Sequence, residues 1–183
     1  GIILQDLGRL DEAEASYKKA ILLKPDFTEA HYNLSNTLKK LEKVEEAEAS
    51  YRKTLMLKPD FTLAQYNLGN MFKELGRLEE AETSYRKTIM LKPDYVEAHN
   101  NLGTVLKELR RMEEAEESYR QAIALNPDFA LAHINLGRIL YNMGRKDFAL
   151  ESIEKANYID PQSKESRLLL SVMNSRKTRE KTK

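Results

Sequence analysis

His31, His99 and His133 are the residues best suited by type to hold a metal or move a proton. Their spacing argues against a shared metal. Each occupies the same place in a 34-residue repeat, so each belongs to a different helix. Neighbouring helix axes lie ~8–10 Å apart, whereas a Zn–N bond is ~2.0–2.1 Å. The histidines are therefore read as packing residues or as hydrogen-bonding residues at the edge of a groove. The paired glutamates Glu45-Glu46, Glu79-Glu80 and Glu113-Glu114 recur with the same period. They read as solvated helix starts suited to the positive end of the helix dipole, not as an acid–base pair. With no cysteine in the chain, thiol catalysis, thiolate metal sites and disulfides are all removed. Every remaining candidate nucleophile, base or acid is accounted for by its place in the repeat. The expectation is a chain that is not an enzyme and has no cofactor or metal. The chemistry left is that of four asparagines, Asn33, Asn67, Asn101 and Asn135, again 34 residues apart.

The elements that position them follow from the prolines. Pro25, Pro59, Pro93, Pro127 and Pro161 are all the prolines present, at that same interval, which marks a repeat array. Complete units run 28–61, 62–95, 96–129 and 130–163, preceded by a partial unit at 1–27. Gly1 falls inside the first helix of that partial unit, so the chain is expected to be a piece of a longer array. Within a unit, Ala98, Leu102, Val105, Leu106 and Leu109 keep the period of an amphipathic helix. Asp94 is expected to cap it, with Glu97 completing a capping box, as Asp26 and Glu29 would in an earlier unit. Asp60 and Asp128 would keep the cap alone. Gly8, Gly76 and Gly144 are expected to end first helices in the left-handed conformation. Glu42 and Arg110 replace that glycine, and their turns should cost more to form. A second helix, roughly Glu113 to Leu125, turns Ala115, Tyr119, Ala122 and Ile123 inward. Proline then ends it. Residues 164–177 are expected to form a capping helix, apolar toward the stack and charged toward water, and 178–183 a basic, solvated tail.

Composition sets further limits. Of 183 residues, 32% are charged and 8% aromatic. That suits short units burying one face against their neighbours better than one compact core. A net charge of +1 gives no electrostatic argument for nucleic acid. No apolar run approaches the ~20 residues of a membrane span, and the start lacks the basic residues of a signal peptide. The expectations are no nucleic-acid or membrane partner and a cytoplasmic location.

Leu102, Gly103, Ala115, Tyr119, Ala122 and Pro127 carry the phase of a known family. The chain resembles tetratricopeptide repeats over residues 1–163, with 164–177 as a cap. The resemblance implies an all-α, right-handed superhelical solenoid of antiparallel helix pairs, with first helices lining a concave groove. One departure is that His31, Gln65, His99 and His133 stand where a large aromatic is usual. The run Ala98-His99-Asn100-Asn101-Leu102-Gly103 looks closer still to the repeat arrays of O-linked N-acetylglucosamine transferases and similar bacterial chains. In those, an asparagine ladder holds the backbone of extended polypeptides, and Asn33, Asn67, Asn101 and Asn135 match it position by position. An attached enzymatic domain beyond Lys183, such as a transferase, is implied by the same likeness. The clamp for chaperone C-terminal carboxylates is matched poorly. Its lysine position holds Tyr32, Tyr66, Asn100 and Ile134.

An asparagine amide both donates and accepts, so it can pair with peptide C=O and N–H without reading side chains. The same face is expected to carry Tyr32, Tyr66, Asn36, Asn70, Lys39, Lys73, Lys107 and Arg138. It would suit an extended, mildly acidic segment of a partner protein. The alternative is a structural or self-associating array whose asparagines only set repeat spacing, with weak homo-oligomerisation through the N-terminal end. RNA binding by analogy with 35-residue pentatricopeptide repeats is opposed by the strict period and balanced charge.

Overall fold

The computed structural model describes the backbone of residues 1–181 and the side chains of residues 1–175. Its described residues form eleven helices, in two compact units, Gly1–Lys92 and Pro93–Lys183. The first unit contains α1 (Ile2–Asp6), α2 (Leu10–Leu23), α3 (Thr28–Lys40), α4 (Val44–Leu57), α5 (Thr62–Glu74) and α6 (Leu78–Leu91). The second contains α7 (Val96–Glu108), α8 (Met112–Leu125), α9 (Ala130–Asn142), α10 (Lys146–Ile159) and α11 (Lys164–Lys181).

Each 34-residue interval is punctuated twice. Proline supplies the first break, at the second place of a β-turn. In Lys24–Phe27 the Phe27 N–H donates to the Lys24 carbonyl at 3.1 Å, and Lys58–Phe61 repeats it at 3.1 Å. This turn corrects the capping expectation. Asp26, Asp60, Asp94 and Asp128 lie inside turns, one residue too early to cap. The cap positions are Phe27, Phe61, Tyr95 and Phe129, and no side chain caps those helices. The proline sets the turn, and the turn consumes the aspartate.

The second break is a Schellman motif, as expected for a C′ glycine. Gly76 donates to the Lys73 carbonyl at 3.1 Å and Arg77 to the Phe72 carbonyl at 2.9 Å. Gly8, Gly76 and Gly144 have φ of 73°, 71° and 80°. Glu42 and Arg110 are forced into the same region at 58° and 64°, where a Cβ is strained.

Between the breaks, one aromatic ring anchors most pairs. Tyr51, Tyr85 and Tyr119 of the second helices are fully buried. Small residues on the first helices make room for them. A Cβ added at Gly103 would sit 2.7 Å from Cε1 of Tyr119, and one at Gly69 3.0 Å from Cε1 of Tyr85. In α9–α10 the pair is Gly137 with Ile153.

Helix α11 forms where the capping helix is expected and packs on α10, but its apolar face is narrower than expected. It buries Ser166 and Met173 but leaves Leu168 and Val172 exposed. Leu168, Leu169 and Leu170 are consecutive, and consecutive residues cannot share one helix face. The helix also continues past Lys177 to Lys181. The side chains of 176–183, and with them the expected basic tail, lie outside the described residues.

Candidate peptide-binding face

The asparagines lie on the first helices, one turn in from the proline turn that starts each helix. In the first unit they are tied to one another. Asn67 Nδ2 on α5 donates to the Tyr32 hydroxyl of α3 at 2.9 Å and to Asn36 Oδ1 at 3.3 Å. Asn36 Oδ1 also accepts from the Tyr51 hydroxyl at 2.5 Å. Tyr85 repeats this bond to Asn70 Oδ1 at 2.7 Å. Tyr32 is further held edge-on by Phe61, with ring centroids 4.9 Å apart. The core tyrosines thus reach the face with their hydroxyls, a role that the sequence reading as core residues alone missed. The signal was present as a fixed separation of 15 residues between Asn36 and Tyr51, and between Asn70 and Tyr85. Burial pushes the Tyr51 hydroxyl pKa up, with the neighbouring Tyr32 adding to it. Burial raises Tyr119 to about 12, partly offset by its hydrogen bond with Thr104. Both remain neutral donors at physiological pH.

The second unit builds the same contact with different residues. Asn135 Nδ2 donates to Asn100 Oδ1 at 2.9 Å, and Asn100 Nδ2 to Asn101 Oδ1 at 3.4 Å. The Tyr119 hydroxyl donates to Thr104 Oγ1 at 3.3 Å. Asn100 and Ile134, which stand where Tyr32 stands, are buried. This position is thus aromatic in the first unit, and amide or aliphatic and buried in the second.

The amides are only partly committed. Asn67 and Asn135 use Nδ2 on the neighbouring first helix, and their Oδ1 atoms have no protein partner among the described residues. Asn33 makes no side-chain hydrogen bond there and lines an apolar crevice of about 590 Å³ with Ile2, Ile3, Tyr17 and Phe27. The cations are also unequal. Lys39 pairs with Glu74 at 2.7 Å and Arg138 with Glu165 at 2.5 Å. Lys107 has no acidic partner among the described residues, and its counterpart of Glu74 is Asn142. Tyr66, Asn70, Lys73 and Asn101 all lie on first helices and all have interactions within the protein.

The histidines are fixed by their own turns. Nε2 lies 3.0 Å from the Pro25 carbonyl in His31, 2.9 Å from Pro93 in His99 and 2.9 Å from Pro127 in His133. A carbonyl only accepts, so Nε2 carries the proton. No cluster of residues able to hold a metal occurs among the described residues, and no helix there is long and apolar enough to cross a membrane.

The opposite face holds a second feature that the sequence reading missed. Glu14, Glu48 and Glu116 are not solvated. Their side chains are 10%, 18% and 12% exposed. Each accepts from the residue that opens the next second helix. Lys43 reaches Glu14 at 2.7 Å, Arg77 reaches Glu48 at 2.5 Å and Arg145 reaches Glu116 at 2.7 Å. Hydrogen bonds from Lys18 and Lys43 hold Glu14 below the usual carboxylate range, and those from Arg77 and Arg52 do so for Glu48. Burial opposes the effect at Glu116, but Arg120 and Arg145 outweigh it. The 34-residue spacing of the glutamates and of their basic partners was the available signal.

Family models described as tetratricopeptide repeat match residues 1–42 and 69–110, 28–61, 96–129 and 118–151. The chain belongs to the tetratricopeptide-repeat family. Among solved structures, MamA is 24% identical with a TM-score of 0.82, covering 87% of this chain and 93% of its own. YrrB, described as a tetratricopeptide-repeat protein with an unusual peptide-binding site, is 24% identical at 0.79, covering 91% and 86%. A thermophilic tetratricopeptide-repeat protein of Thermus thermophilus is 27% identical at 0.67, covering 94% of each chain. No curated protein matches the sequence. The all-α solenoid class of antiparallel tetratricopeptide helix pairs is the one expected from the residues, and it suits a protein-interaction scaffold.

Proposed function

We propose that the first-helix face binds extended polypeptide segments of a partner protein by their backbone, without catalysis. The observation that carries the reading is the half-committed asparagine. Asn67 and Asn135 spend their NH₂ groups on the neighbouring helix and keep Oδ1 free. Each is thereby fixed in orientation and offers an acceptor to a peptide N–H. With first helices ~8–10 Å apart and ~3.3 Å per extended residue, one asparagine meets about every third residue. In the second unit Lys107 adds a cation for an acidic residue of a segment bound there. The peptide-binding site in YrrB's description lends support by similarity. The test is fluorescence anisotropy with unstructured peptides and with the same peptides N-methylated at every third residue. Loss of binding on methylation supports capture through peptide N–H groups. Equal binding of both forms refutes it.

A second reading is favoured by the same NH₂ bonds, which by themselves set the spacing of neighbouring helices. In that case the array is structural and associates through exposed Ile2, Ile3, Leu22 and Leu23. Sedimentation that shows a monomer at high concentration excludes the association.

A further inference from the structure

The repeats serve as each other's controls, and one second helix departs from the rest on its outer side. Glu12, Glu46, Glu80 and Glu114 occupy one position of α2, α4, α6 and α8; α10 has Phe148 there. Lys18, Arg52, Arg86 and Arg120 occupy another; α10 has Glu154. Leu22, Met56, Met90 and Ala124 occupy a third; α10 has Tyr158. Phe148 is 56% and Tyr158 79% exposed. Both rings lie at the surface, Phe148 with the Arg145 guanidinium over it at 5.3 Å.

These changes surround a crevice. It lies between α8 and α10, with His133, Leu136 and Leu140 of α9 in its lining, and has a volume of about 650 Å³. The equivalent crevice between α4 and α6 of the first unit is about 480 Å³. The charges of the α8–α10 crevice are unequally paired. Arg120 is held by Glu116 at 2.9 Å, and Lys155 lies over the Tyr158 ring at 5.3 Å. Glu151 and Glu154 are exposed and have no ion-pair partner among the described residues. A mixed Glu–Arg surface has become an aromatic cleft with two carboxylates and one lysine outside any ion pair among the described residues.

We propose that this crevice docks a basic amphipathic helix of a partner protein, with an apolar anchor seated between Phe148 and Tyr158 and flanking cations paired with Glu151 and Glu154. A cleft walled by two helices suits a helix lying lengthwise, which presents anchors on one face and charges beside them. Two carboxylates without an ion pair, against one such cation, Lys155, favour a basic helix over an acidic one. The face concerned is distinct from that carrying the asparagines, so the two readings stand or fall separately.

The test uses a labelled Leu/Lys amphipathic peptide of about 15 residues, long enough to form a helix, and its Leu/Glu counterpart. Anisotropy is measured on the full chain and on the double variant Phe148→Glu, Glu154→Arg. That variant restores the residues of the other units, so it should fold; circular dichroism checks this. The expected result is Leu/Lys binding at least tenfold tighter to the unaltered chain than to the variant, with no Leu/Glu binding. Tyr158→Ser should weaken binding in the same direction. Equal binding to chain and variant, preference for Leu/Glu, or no binding overturns the proposal. Self-association abolished by the same double variant would assign the crevice to a second copy and overturn it too.

Discussion

Replacing Arg110 or Glu42 with glycine should stabilise the protein, although each change deletes a whole side chain. Both residues hold the left-handed C′ position, with φ of 64° and 58°. An L-residue there costs roughly 1–2 kcal/mol. Glycine removes that cost but gives the unfolded chain extra freedom, worth about 0.4–1 kcal/mol. The net gain is about 0.5–1 kcal/mol per site. Neither side chain has a hydrogen bond or ion pair among the described residues to lose. The reciprocal change is Gly76→Ala, at φ 71° with nothing within 4 Å of the added Cβ. It should lose a similar amount through the backbone alone. Urea denaturation followed by circular dichroism measures all three. Glu42→Gly and Gly76→Ala form a matched pair within one compact unit, which limits errors from incomplete two-state behaviour. An unchanged or lower midpoint for Glu42→Gly, with Gly76→Ala neutral, would show that the left-handed turn is not the source of the cost.

Gly103→Ala should destabilise by roughly 1–3 kcal/mol through overpacking despite alanine's better helix propensity, because its Cβ would press on Tyr119 at 2.7 Å; thermal denaturation checks this. Tyr85→Phe removes the 2.7 Å bond to Asn70 Oδ1 and should cost about 1 kcal/mol with the helix content kept, as read by urea midpoint and circular dichroism. Stability should also depend on acid. Glu14, Glu48 and Glu116 have lowered folded pKa values, so their contribution is present above the unfolded value of about 4.3 and is lost as pH falls through the folded values. Urea midpoints measured from pH 7 down should be flat to near that value and then drop, and Glu48→Gln should make the drop shallower.

The proline interval made the helix pairs legible because proline acts through covalent geometry, which no tertiary contact overrides. The left-handed glycines were legible for the same reason. The aspartate caps were misread because a cap depends on a single residue of register. Pro25-Asp26 and its repeats close a turn that ends one residue later than the aspartate. The asparagines were found by type and period, but their half-committed state was not. It depends on Tyr32 and Asn36 lying opposite Asn67 on another helix, a pairing that helical spacing within one segment does not reveal. Glu48 and Glu116 were not singled out because local pattern places them on the polar side, while the next helix pair brings an arginine over them.

Arg77 and Arg145 each tie one helix pair to the pair before it. The backbone N–H of Arg77 closes the turn after α5, and its guanidinium holds Glu48 of the preceding pair. The arginine side chains are 36% and 39% exposed, while Glu48 and Glu116 are 18% and 12%. The bond joins one pair to the next, and a coupling of this kind is reciprocal: its loss raises the opening of either neighbour by the same factor. Glu48 keeps Arg52 of its own helix when Arg77 leaves, and Arg77 keeps Glu80. Weakening one such bond, as in Arg77→Ala, should therefore speed amide exchange in α4 and α6 together, although the side chains that make the bond are unlike.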